Sequence, residues 1–441
     1  MRGNSQVRFL GEKKAVMPFS YPTKTTLKQL MVIVEATLAM TGRVTMLGIS
    51  RWTEKGGSYR TVQRFFDGEH PWSKWRWLLI QSKVKSKTCL LIADEVVVTK
   101  SGKETHGLGN FFSSIQNQPV KGLCFINLSI LDVETQIAHP LHMEQMIRPE
   151  VQKSAPKAVN TIKKQRGRPK GSKNKNQEEV DFSPFQMQLQ GCIRHVLNLT
   201  GNTMELKYLA YDGALGTNAG VQMVKQTGLS VISKLRHDSE LYFPFSGEQK
   251  HRGKPRKYGV RLTIDKLTQE HLREDKTEDG IRTLTYQVQV WHKKFPDLLN
   301  VVVIVKTNLE TGRTAKALLF SNDLTLSFDN LVSYYKLRFQ IEFNFRDAKQ
   351  YWGLEDFMTI KETKVSNAAN FSMFMVTLSQ LLSPEINGLQ VGSMLDLKTI
   401  FRARKYTNLI IKSLGIKAEQ FLIDDLILQA ANIGRIHPTF D

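Results

Sequence analysis

The chain has 441 residues, with 62 Lys and Arg against 41 Asp and Glu, a formal net charge of +21 and a pI near 9.7. That length predicts two to four domains with a real core, and the basic excess points to nucleic acid first and to anionic lipid second. No run of about 18 apolar residues occurs that would span a bilayer. The longest candidate, Phe371 to Leu382, is interrupted by Ser372, Thr377, Ser379 and Gln380. The N-terminal residues lack a continuous apolar signal region, so no membrane partner and a cytoplasmic, nucleoid-associated location are expected. Cys89, Cys124 and Cys192 are too few and too far apart for a disulfide framework or a Cys-based zinc site, and read as buried packing residues.

In chain order, residues 25–80 read as a small helical unit within an N-terminal region 1–84. Leu27 to Met40, Thr45 to Ser50 and Ser58 to Phe66 form short helices around Gly56 and Gly57. Either an ordinary helical bundle or a helix-turn-helix arrangement suits them. In the second, Ser58 caps a helix that presents Tyr59, Arg60, Gln63 and Arg64 to DNA. Buried strands follow. Cys89 to Ala93 is an apolar run reaching Asp94 and Glu95 and continued by Val96 to Val98, Gly107 and Gly109 mark a turn, and Lys121 to Leu131 and Ile137 to Met143 complete an antiparallel meander.

Residues 153–175 carry nine Lys or Arg and no acid, with Pro156, Gly167, Pro169 and Gly171 opposing regular structure. Arg166, Arg168 and Lys170 then belong either to a flexible arm for an A·T-rich minor groove or to a solubilising linker. Ser183 and Pro184 start a helix running to about Leu199. Leu206 to Ala210 is a strand that delivers Asp212, a helix begins at Thr217 or Asn218 and stops at Gly228, and Leu229 to Leu235 is a further strand. The order strand, strand, strand, helix, strand, helix, strand predicts an α/β domain of mixed sheet type over 85–235.

A mainly β insertion is expected over 236–324. Its basic stretch Gln249 to Tyr258 precedes an alternating strand, Thr285 to Trp291, and a hairpin of Val301 to Lys306 with Ala315 to Phe320. The α/β domain resumes over 325–385, and helices fill 386–441. Within 325–385, Tyr335, Arg338, Glu342 and Lys349 stand three, four and seven apart. On one helix they make a polar stripe about 60° wide at about 100° per residue. Phe339, Ile341, Phe343 and Phe345 flank it, which predicts a helix buried except where that row emerges.

Asp94 and Asp212 are expected at the C-terminal ends of two buried strands and Glu342 on a later helix. Three carboxylates meeting at one sheet edge suit two hard cations, Mg2+ with Mn2+ as substitute, that activate the attacking oxygen and stabilise the leaving one in phosphoryl transfer. Taken singly, each Asp reads more readily as a turn former or helix cap, and it is the combination of strand-end placement, the Glu342 stripe and the basic surroundings that favours the metal site.

The spacing of Tyr335, Arg338, Glu342 and Lys349 resembles the Y-R-E-K signature of a branch of bacterial insertion-sequence transposases of the DDE class. Phe339 to Glu342, Phe345 to Gln350, Gly353-Leu354, Ile92 to Glu95 and Tyr211 to Gly213 are similar to that family as well. The likeness covers most of residues 30–410. It implies a ribonuclease-H-like mixed sheet flanked by helices, with a β-rich insertion and a helical N-terminal domain. It further implies Asp94, Asp212 and Glu342 as catalytic metal ligands, and Tyr335, Arg338, Arg346 and Lys349 as contacts to double-stranded DNA. Cut-and-paste transposition by a homodimer at terminal inverted repeats follows from the resemblance. A DNA hairpin intermediate is a further possibility in such a family, with Trp291 stacking a flipped base or serving as a plain core Trp. A nuclease of the same fold without strand transfer, and a noncatalytic DNA-binding derivative, are the alternatives.

Overall fold

Four helices begin the N-terminal unit in the computed structural model, α1 (Lys24–Ala39), α2 (Met46–Trp52), α3 (Tyr59–Asp67) and α4 (Trp72–Ile80). The structure describes residues 24–54, 56–84, 88–113, 116–147, 177–382, 385–386, 389–390, 392–415 and 419–433. The basic segment with Arg166, Arg168 and Lys170 therefore lies outside the described residues. Thr45 and Ser58 cap α2 and α3 by accepting from the Gly48 and Thr61 amides, which satisfies donors that a helix start leaves without partners. Val62, Phe65 and Phe66 turn inward from α3 at three- and four-residue spacing, leaving Tyr59, Arg60 and Arg64 exposed.

The meander forms from β1 (Cys89–Thr99), β2 (Gly109–Ser113), β3 (Gln118–Asp132) and β4 (Ile137–Met146). β3 runs antiparallel to both β1 and β4. Its first residues pair with β2, where the sequence had shown only a turn. Asp94 lies in the middle of β1, opposite Asn127, and does not end the strand as expected. The reason is in the sequence beyond it: Val96 and Val98 continue to bury against the core and keep the ladder going.

Next come α5 (Pro184–Thr200), β5 (Leu206–Ala210), α6 (Asn218–Lys225) and β6 (Ser230–Leu235). Ser183 and Gln186 form a capping box at the start of α5. Gly228 takes φ +85° just past α6, a left-handed conformation that glycine adopts without a side-chain clash. β1 pairs in parallel with β5, and β5 with β6. The spatial order β4, β3, β1, β5, β6 is a ribonuclease-H-like sheet.

The β-rich segment contributes β7 (Leu241–Pro244), β8 (Tyr258–Arg261), β9 (Leu272–Glu278), β10 (Ile281–His292), β11 (Leu299–Asn308) and β12 (Thr314–Ser321). β11 and β12 form the expected hairpin, and β12 pairs antiparallel with β6. These strands therefore extend the same sheet to 12 strands. The chain then forms α7 (Phe328–Leu337), α8 (Gln340–Gln350), α9 (Glu362–Leu382), α10 (Met394–Leu414) and α11 (Gln420–Asn432). No helix among the described residues is long and apolar enough to cross a membrane.

Alternation along β1 divides the interior into two cores. Leu90, Ile92, Val96 and Val98 face α8, α9 and the N-terminal helices, whereas Cys89, Leu91 and Ala93 face α5 and α6. α9 lies within the first core, and its polar positions are satisfied there. Ser372 donates to the carbonyls of Ala368 and Trp352, and Thr377 donates to those of Met373 and Pro140. The N-terminal unit is seated by Gly353, whose φ is +79° and whose missing Cβ would lie 2.5 Å from Val44 Cβ.

Candidate active site

β1 and β5 run side by side as far as the Ile92 and Ala210 pair. Two residues beyond that pair stand Asp94, still within β1, and Asp212, just past the end of β5. Where the parallel ladder stops, these two acids open toward the helices that cover the first core. Asp212 caps the short helical turn Gly213–Leu215 through its Oδ1, which accepts from the Ala214 amide at 2.9 Å. Its carbonyl accepts from the Ser233 hydroxyl of β6, so its backbone is held on both sides.

Glu342 comes from α8, but the polar stripe is not carried by one regular helix. α7 ends at Leu337 and α8 begins at Gln340, with Arg338 and Phe339 as a tightened turn between them. Both residues keep right-handed helical dihedrals. The Phe339, Ile341 and Glu342 amides donate to carbonyls three residues back, which is 3-10 hydrogen bonding inside a helical path. This kink corrects the expectation of a continuous buried helix. Ile341 and Phe345 are buried, while Phe339 and Phe343 are exposed and pack edge to face, 5.4 Å apart.

Arg338, at the kink, is the hub. Its Nη1 donates to Asp94 Oδ2 at 3.0 Å, its Nη2 lies 3.8 Å from Glu342 Oε1, and its guanidinium sits 5.9 Å from the Tyr335 ring centroid. Burial raises the Asp94 carboxyl above its ordinary value. The Glu95 amide and Arg338 pull it down, and the charges of Asp212 and Glu342 push it up. Asp94 therefore experiences both of the other carboxylates. Burial also raises the Tyr335 phenol, with Asp212 and Asp94 adding to it against Arg338. Asp94 and Glu342 flank the guanidinium, and Asp212 adds its charge near Asp94. Among the described residues only His142, Glu144 and Cys192 bring three ligand atoms all within 4.8 Å of one another.

The remaining candidates are placed as follows. Lys349 turns inward, donating to the Val97 carbonyl at 3.0 Å and pairing with Glu355 at 3.0 Å. Arg346 pairs with Asp347 at 3.0 Å and lies 4.8 Å over the Phe343 ring. Trp291 is half-buried at the end of β10, opposite Tyr242, with Lys257 Nζ 3.5 Å above its ring. Arg60 and Arg64 lie on the exposed face of α3. Residues 335, 338 and 342 thus gather with 94 and 212, while 349 serves β1 itself. The sequence reading missed Tyr211. Its buried phenol donates to Glu95 at 2.9 Å and is pushed well above its usual range by burial and by Glu95. Its place beside Asp212 was visible, but its partner was not.

A ribonuclease-H-like sheet with acidic side chains where its central parallel strands part defines a nuclease-type fold. The chain belongs to the DDE superfamily endonucleases, whose family model matches residues 19–293. That span includes Asp94 and Asp212 and stops short of Glu342. No curated protein matches the chain. Among solved structures, the chain is similar to a piggyBac transposase in a cryo-EM structure of its synaptic complex with hairpin DNA. The identity is 9% and the TM-score 0.36, over 98% of this chain and 81% of that one.

Proposed function

We propose that this endonuclease is a DNA transposase of insertion-sequence type, in the branch that carries the Y-R-E-K signature. Its substrates are then terminal inverted repeats and target DNA, and its reaction is cut-and-paste strand cleavage followed by strand transfer. Asp94, Asp212 and Glu342 are the catalytic carboxylates in this reading. The observation that carries it is the Arg338 guanidinium, which pairs with Asp94 of β1 at 3.0 Å and lies 3.8 Å from Glu342 of α8.

The donor set fits Mg2+, with Mn2+ as substitute, because all three groups offer hard carboxylate oxygens. Bound there, the ions supply activation of the attacking oxygen and charge stabilisation at the leaving one. The chain's own residues supply the rest. Arg338 neutralises Asp94 and orients it, and Tyr335 screens the hub from water. Exposed Arg60, Arg64 and Arg346 offer cationic groups to the phosphate backbone, as do Arg166, Arg168 and Lys170 in the basic segment. Trp291 is offered as a stacking platform should a hairpin form. α10 and α11 expose Leu409, Ile410, Leu414, Phe421 and Leu422, an apolar surface suited to the homodimer that joining two ends requires.

Asp94→Ala, Asp212→Ala and Glu342→Gln are expected to lower cleavage of an end substrate at least about 100-fold, the scale of losing one charge-stabilising group. End binding in a gel-shift assay should persist. Unimpaired cleavage in all three variants rejects the assignment. A pre-cut end that is never joined to a target plasmid, despite active cleavage, assigns a nuclease without strand transfer.

A further inference from the structure

On the face of the sheet opposite Asp94, β4 and α5 bring four ligand-type side chains together. His142 and Glu144 stand two apart on β4 and share one face, while Cys192 and His195 stand three apart on α5 and share one side of the helix. The pairing of His142 with Leu128 puts it on the second-core face, whereas Asp94 shares the face of Ile92 and Val96. His142 Nε2 lies 3.5 Å from Glu144 Oε2, and Cys192 Sγ lies 3.4 Å from that same oxygen. These are the edges of a coordination tetrahedron, since donors about 2.0–2.3 Å from a central ion lie roughly 3.3–3.8 Å from one another. The His195 ring centroid is 4.7 Å from that of His142, so His195 borders the group while its ring nitrogens stand outside it.

The surrounding hydrogen bonds leave the inward atoms available. Ser73 Oγ and His142 Nδ1 bond at 2.9 Å, and His142 Nε2 is buried without a hydrogen-bond partner among the described residues. Gln188 Nε2 donates to Glu144 Oε1 at 2.8 Å, which leaves Oε2 turned to the cluster. Such outer bonds orient metal ligands. An entry path exists, because His142 and His195 line a cleft of 990 Å³ together with Ser73, Glu69 and Glu362.

We propose that His142, Glu144 and Cys192 bind one transition-metal ion of the Zn2+ type, with a turn of the neighbouring His195 ring completing the set, which pins α5 to β4. Two imidazoles, one thiolate and one carboxylate form a mixed borderline donor set that selects zinc over magnesium. On binding, the Cys192 thiol releases to solvent the proton it now directs at Glu144, and a sulfur–metal bond forms in its place. No redox change is involved. The site is structural and independent of the carboxylates around Arg338.

The test is a Co2+ titration of the untagged full chain. One equivalent should produce a near-ultraviolet thiolate charge-transfer band and tetrahedral bands in the visible, and one equivalent of Zn2+ should erase both. Cys192→Ser should abolish the charge-transfer band, and His195→Asn should weaken Co2+ affinity at least tenfold. Cys89→Ser and Asp94→Ala should retain the full spectrum, and circular dichroism should show all variants folded. Absence of the thiolate band in the wild type at saturating Co2+, or its persistence in Cys192→Ser, overturns the proposal whatever the cleavage assays show.

Discussion

The Arg338 guanidinium donates to Asp94 at 3.0 Å across 244 positions of sequence. The Arg338 side chain is 14% exposed and that of Asp94 22%, so this is a largely desolvated ion pair in the middle of three acids. The same cation faces Glu342 as an i,i+4 neighbour, but at 3.8 Å. The long-range contact is therefore the stronger one.

Removing that cation should destabilise the protein in the absence of divalent ions. Arg338→Ala leaves Asp94 without its counter-charge and in the field of Asp212 and Glu342, a loss of about 1–3 kcal/mol for a partly buried carboxylate left unpaired. Mg2+ should restore more stability to this variant than to the wild type, because the guanidinium no longer competes for Asp94. Urea unfolding with chelator and with Mg2+ measures the difference, and equal Mg2+ gains in both proteins would disprove the competition.

Arg60 and Arg64 project from α3 on the side opposite Val62, Phe65 and Phe66. If this face meets DNA, each Arg→Ala change should weaken binding at all sequences and reduce the magnitude of the log K against log salt slope by about 0.9. Fluorescence anisotropy across a salt series reads both quantities. Unchanged slopes in the double variant place the DNA elsewhere.

Acid should unfold the protein partly through His195. Its folded value is held at about 4 against an ordinary 6.5, first by burial and then by the His142 ring. The unfolded chain therefore binds the extra proton in this window. Stability is complete above about 6.5 and is lost as pH falls toward 4. Measured with chelator present, the drop in urea midpoint between pH 7 and 5 should be smaller in His195→Asn than in the wild type. An identical drop would show that His195 does not drive it.

Arg76 is fully buried yet has no carboxylate partner among the described residues. Its Nε donates to the Leu141 carbonyl at 2.9 Å, and its Nη1 and Nη2 donate to the Asn370 carbonyl and Oδ1 at 3.0 and 2.8 Å. This one side chain joins α4, β4 and α9. Without it three buried acceptors lose their donor, so Arg76→Ala is expected to cost about 3–5 kcal/mol. A urea denaturation series giving under about 1 kcal/mol would show that water replaces the guanidinium.

Several elements were legible because their cause is local. The apolar run through β1, the capping box at Ser183, the stop at Gly228 and the β11 to β12 hairpin each depend on neighbours a few positions away. The alternation of element types gave a mixed α/β sheet, and its ribonuclease-H-like arrangement was an implication of the family resemblance. β2 was missed because five residues beginning at Gly109 carry almost no strand pattern, and only the length of β3 gives them a ladder. The tightened turn at Arg338 and Phe339 was also hidden, since the side chains there have ordinary helical spacing.

By itself the sequence determined which residues are cationic, acidic or apolar, where most helices and strands lie, and that Asp94 and Asp212 accompany buried strands. Only the tertiary structure decided that Arg338 serves Asp94, that Lys349 serves Val97, and that Cys192 meets His142 and Glu144. Helix and strand periods are short-range properties of the backbone, whereas these partnerships are set by sheet register and by how helices dock on it. A register step of one residue would send Asp94, His142 and Glu144 to the opposite face of the sheet.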